Sequence, residues 1–205
     1  MWLVPPAEEA ELVKRTLMRL PPSLGPVPYT LPTFEPHITI ASFPSCIPLQ
    51  RLRDGISQHT CVHVSDTGLD VAFAALSVGD AFFRSVLIDI VPTPALRSIR
   101  EQIAEKAGPE YEARSPRYPH LSLSYVPDER AEDRGRIREA MWEDCGGVLL
   151  AEGGRVGFDL HLLESELDGR RRRLEGFRAM EVWIVRCEGP VEGWTVLEKI
   201  DLSKQ

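Results

Sequence analysis

Positive charge is in short supply in this chain. Against 31 Asp and Glu it holds 24 Lys and Arg, a formal net charge of −7, which argues against a surface built to release counterions along a nucleic-acid polymer. A small anionic ligand in a local pocket remains compatible with that balance. Cysteine is sparse too: Cys46, Cys61, Cys145 and Cys187 stand far apart, with no CxxC pair and no histidine at metal-finger spacing. Reduced, partly buried thiols are expected, a single disulfide is left open, and no zinc site is signalled. No apolar run approaches the roughly 20 residues that span a bilayer. The opening MWLVPP leads into an acidic, helix-like stretch instead of a basic region, an apolar run and a small-residue cleavage site, so it does not read as a signal peptide. The expectation is a cytoplasmic monomer with no membrane span and no long nucleic acid as partner.

What is present fits a globular protein. With 43% hydrophobic and 27% charged residues over 205 positions, the chain can bury a core of its own, and one bilobal domain over 1–205 is the expected organisation. Helical spacing runs over 7–20, 48–58, 94–107 and 128–144, and the Pro21-Pro22 pair is the expected stop of the first helix. β-rich runs at 69–78 and 82–91 flank the turn signal Gly79-Asp80 and predict a hairpin. Further strands are predicted at 37–43, 120–126, 155–165, 180–187 and 194–201. Strands, helices and hairpins in this mixture predict an α+β fold with largely antiparallel pairing.

Two short stretches repeat one pattern. FEPHITIASF covers 34–43 and YPHLSLSYV covers 118–126. In each a histidine follows a proline and a hydroxyl follows two residues later, with apolar residues between and after. Because side chains alternate along a strand, His37 and Thr39 share one face while Ile38 and Ile40 take the other, and His120 and Ser122 oppose Leu121 and Leu123 in the same way. Each strand is expected to anchor its own lobe and to present its polar pair across a cleft. Two histidines suit in-line attack on phosphorus: one imidazole removes a proton from the incoming oxygen, the other gives a proton to the departing one, and both roles fall near the unperturbed imidazole pKa of about 6.5. Thr39 and Ser122 are candidate donors to the non-bridging oxygens. No metal or other cofactor is required by this set, and neither histidine has a second histidine or a carboxylate at ligand spacing.

On these residues the chain resembles the 2H (two-histidine) phosphoesterase superfamily, whose mark is a pair of His-x-Thr/Ser-x motifs, here HITI and HLSL. Within it, WLVPP, FEPHITI and PHLSLSY are similar to the N-terminal strand and motif strands of the fungal cyclic phosphodiesterases, the 2′,3′-cyclic-nucleotide 3′-phosphodiesterases. The resemblance implies a bilobal α+β fold, two mainly antiparallel sheets flanked by helices around a central cleft. It also implies metal-independent hydrolysis of nucleoside 2′,3′-cyclic phosphates to 2′-phosphates, and of ADP-ribose 1″,2″-cyclic phosphate, a by-product of tRNA splicing, to ADP-ribose 1″-phosphate. His37 and His120 carry over as the catalytic pair and Thr39 and Ser122 as phosphate ligands. Tyr125, five positions after His120 as in related plant enzymes, carries over as a substrate-site aromatic. It has the wrong parity for a straight strand, so a bulge or strand end must turn it. Trp2 is a candidate for stacking on a base or ribose. By resemblance to fungal relatives an association with the Golgi is also implied.

Two other readings compete: a relative acting on RNA ends or 2′,5′-phosphodiesters, and a module that binds cyclic phosphates without turnover. His59, His63 and His161 read as surface or structural residues. The run Arg170 to Arg173 follows the turn signal Asp168-Gly169; it reads as a solvated loop, with a lesser reading in which it meets the substrate's diphosphate.

Overall fold

The protein's computed structural model describes residues 1–63, 68–114, 119–150, 154–160 and 172–203, with helical backbone alone for 58–63. Among them are strands β1 (Trp2–Val4), β2 (Ile38–Thr39), β3 (Leu69–Val78), β4 (Val86–Ile90), β5 (His120–Ser124), β6 (Gly147–Leu149), β7 (Val156–Leu160), β8 (Arg172–Leu174), β9 (Gly176–Ala179), β10 (Glu181–Arg186) and β11 (Thr195–Asp201). The helices are α1 (Ala7–Thr16), α2 (Leu49–His63), α3 (Pro94–Ala107) and α4 (Asp133–Asp144). The architecture is α+β, as the element pattern predicts.

Eight strands form one antiparallel sheet in the order β11-β10-β1-β2-β5-β4-β3-β9, and β6-β7-β8 form a second. The two motif strands are the central neighbours of the large sheet. They are joined by one register pair, Ile38 opposite Leu121, so each motif strand is the inner edge of a four-stranded half. The sequence places the motif strands across a cleft from each other; in the fold they lie side by side in one sheet. The reason is their apolar faces: Ile38, Ile40, Leu121 and Leu123 are all buried in one core, at roughly 1.5–3 kcal/mol for each side chain so buried.

Helix α3 follows the sequence closely. Thr93 caps it by accepting from the Leu96 N–H at 3.3 Å, Pro94 fills the first position, and Leu96, Ile99, Ile103 and Ala107 form its buried face. Gly55 of α2 lies so near α3 that a Cβ there would sit 2.8 Å from the Ile103 Cα. Helix α1 ends at Thr16, before the proline pair, because the N–H groups of Leu17 and Met18 both turn onto the Val13 carbonyl, at 2.8 and 3.0 Å. The predicted hairpin forms between β3 and β4, but its connection is longer than Gly79-Asp80: the Gly79 N–H bonds to the Ser85 carbonyl at 3.0 Å and Phe82–Arg84 form a 3-10 turn. His161 and Asp168 to Arg171 lie outside the described residues.

Candidate functional site

The register pair Ile38–Leu121, carried one residue either way along antiparallel strands, sets His37 opposite Ser122 and Thr39 opposite His120. Each imidazole therefore faces the other strand's hydroxyl, and the two histidines occupy a diagonal, a relation that places Cβ atoms roughly 7–8 Å apart. All four residues line one cavity of about 800 Å³, together with Trp2 and Tyr125. Every site residue read from the sequence is thus gathered at one place.

His37 is held from three sides. Its ring stacks on the Trp2 indole with centroids 3.8 Å apart and planes inclined by 12°, and the Phe34 ring meets it edge-on at 6.1 Å. Its Nδ1 lies 2.6 Å from the Glu35 carbonyl oxygen. A carbonyl only accepts, so Nδ1 carries a proton and Nε2 presents its lone pair. The residue is 4% exposed, and burial lowers its pKa to about 3, with small further depression from the Met1 ammonium and His120 against the opposing pull of the Glu35 carbonyl. Trp2 reaches this position because it pairs with Thr39 across β1 and β2.

The parity of Tyr125 is resolved by the end of β5. The strand stops at Ser124, and its pairing with β4 shifts register between Val86 and Leu87. Ser85 fixes the turned chain, its hydroxyl accepting from the Val126 N–H at 2.8 Å and donating to the Phe82 carbonyl at 2.7 Å. Tyr125 then lies face to face with Phe34, centroids 4.1 Å apart, and its phenol is pushed up by burial while it bonds to Ser122. The Ser122 hydroxyl donates to the Phe83 carbonyl at 3.2 Å.

Several cavity residues escaped the sequence reading. Trp194 stands 5.7 Å from both Trp2 and Phe83, Phe83 is 51% exposed, and Arg84 and Arg186 line the same cavity. They sit singly in turns and strand ends, where no spacing marks them. Arg172 and Arg173, by contrast, do not line it: Arg172 pairs with Glu8 and Glu9 of α1, and Arg173 with Asp159. Among the described residues no group of three or more His, Cys, Asp or Glu is placed to hold a metal ion. Cys46, Cys145 and Cys187 are unpaired thiols. No helix among the described residues is long and apolar enough to cross a membrane.

An α+β fold whose central strands set paired His-x-hydroxyl motifs on one cavity floor is that of the two-histidine phosphoesterases. Comparison with known proteins narrows this. Residues 1–202 match the family model described as "Cyclic phosphodiesterase-like protein", and the chain belongs to that family. It is 27% identical over 214 residues to a protein of Kluyveromyces lactis named 2′,3′-cyclic-nucleotide 3′-phosphodiesterase, covering 98% of this chain and 96% of that protein. A protein of the same name from Yarrowia lipolytica is 27% identical over 223 residues, covering 96% of each.

Proposed function

We propose that this chain is a 2′,3′-cyclic-nucleotide 3′-phosphodiesterase, hydrolysing nucleoside 2′,3′-cyclic phosphates to nucleoside 2′-phosphates and ADP-ribose 1″,2″-cyclic phosphate to ADP-ribose 1″-phosphate, with two histidines and no metal. The observation that supports it is the meeting of His37 and His120, 83 positions apart in sequence, in one cavity. His37 is the general base: neutral at rest, it takes a proton from water at Nε2 as the water oxygen bonds to phosphorus. The P–O3′ bond breaks in line, and His120 delivers a proton to the departing O3′. Return of the proton from His37 to His120 through solvent restores the starting state. Thr39 and Ser122 donate to the non-bridging oxygens where charge builds up, Trp2 holds the His37 ring plane, and Tyr125 borders the ribose. Burial of His37, which favours its neutral form, supports this direction of proton flow; the symmetric pair of motifs leaves it open.

Phosphorus NMR on adenosine 2′,3′-cyclic phosphate with a chelator present tests the reading. A single 2′-phosphate product is expected, with kcat reduced by about 10²- to 10⁴-fold in H37A and in H120A. A 3′-phosphate product, loss of activity with chelator, or full activity in either variant overturns it.

A further inference from the structure

A second cavity of about 550 Å³ lies beside the first. Lys14 of α1 and Arg19 beyond it, Tyr29 and Phe34 of the irregular 27–34 segment, and Leu123 and Ser124 at the far end of β5 contribute to its walls. Ser124 is the third polar residue of HLSLS and has the strand parity of His120 and Ser122, yet it lines this cavity and not the other. It is buried, and its hydroxyl has no hydrogen-bond partner among the described residues. An unpaired buried hydroxyl is costly and calls for an occupant that uses it, and rotation about one bond re-aims it. Arg19, exposed at the cavity, has no ion pair among the described residues. Apolar walls, an exposed guanidinium and a buried hydroxyl that no described residue engages suit a small anion with an apolar body.

Two links run from here to His37. The Phe34 ring forms part of this wall, stacks on Tyr125 at 4.1 Å and meets His37 edge-on. Lys14 pairs with the Glu35 carboxylate at 2.8 Å, and the carbonyl of that same Glu35 fixes the His37 tautomer. An anion that draws Lys14 toward itself competes with Glu35, and a body wedged against Phe34 presses on both site aromatics. We propose that this second cavity binds a small organic anion with an apolar body, and that its occupation changes the setting of His37. Binding there does not depend on the hydrolytic activity proposed above.

Anilinonaphthalene sulfonate, an aromatic anion that fluoresces in apolar surroundings, is a suitable probe for titration of the full chain. One saturable site is expected, with Kd raised threefold or more in R19E and in S124I, which removes the hydroxyl and adds bulk at that wall. A Kd in R19E within threefold of wild type overturns the site. Because Arg19 is exposed, that comparison stands even if S124I fails to fold. Coupling is read by proton NMR: the His37 ring resonance is expected to shift as the probe saturates, and a resonance that stays in place overturns the link. Neither readout needs turnover, so failure of the hydrolytic reading and failure of this one are distinguishable.

Discussion

At the scale of single residues, the proposed chemistry turns on how His37 is kept dry. The Trp2 ring covers one face of the imidazole and thereby maintains the desolvation that depresses its pKa. In W2A, water reaches that face and the pKa is expected to climb from about 3 toward the ordinary value near 6.5. A base works only when deprotonated, so the acid limb of the kcat/KM profile moves up by a unit or more on the order expected for lost burial, while W2F holds it lower. An acid limb near 6.5 already in wild type rules out His37 as the base. His37, Thr39, His120 and Ser122 were legible from sequence because the same spacing occurs twice. Trp194, Phe83 and Arg186 were not, since each reaches the cavity from an irregular segment or strand end where position depends on distant packing.

Among the elements, the end of β5 decides where Tyr125 goes. Ser85 is fully buried and pairs the Val126 N–H that follows the tyrosine. In S85A that donor is left unsatisfied, with an expected stability loss of about 1–3 kcal/mol in a urea titration and a fall in activity, while S85T retains most of both. The α2–α3 contact makes a second prediction: G55V forces the helices apart at Ile103 and costs about 1–3 kcal/mol by overpacking, with the catalytic pH profile unchanged. Long periodic elements such as α3 were readable from end to end because the apolar residues recur at helical spacing along the whole element. Short strands such as β6, β8 and β9 were missed, being only three or four residues long and specified by their partners more than by their own pattern. The length of the β3–β4 connection was hidden likewise, because the Gly79–Ser85 bond closes over a turn that its dipeptide signal understates.

For the whole molecule, the buried imidazole makes folding sensitive to acid. Unfolded His37 binds a proton near pH 6.5, whereas the folded residue does so only near pH 3. Between those values the unfolded state holds more protons, so stability present above about pH 6.5 is lost progressively as pH falls toward about 3. The urea midpoint of wild type is expected to drop more between about pH 7 and about pH 5 than that of H37Q, and equal drops in the two proteins refute this origin. The large sheet itself has a consequence for how the protein is made. The half that carries His37 is ordered β11-β10-β1-β2, so Trp2 finds its outer neighbour, Trp183, only after β10 has been made. Until β10 leaves the ribosome, β1 is a bare edge and the Trp2 lid over His37 has no backing. A chain that stops before β10 carries both histidines and still lacks the strand that backs Trp2.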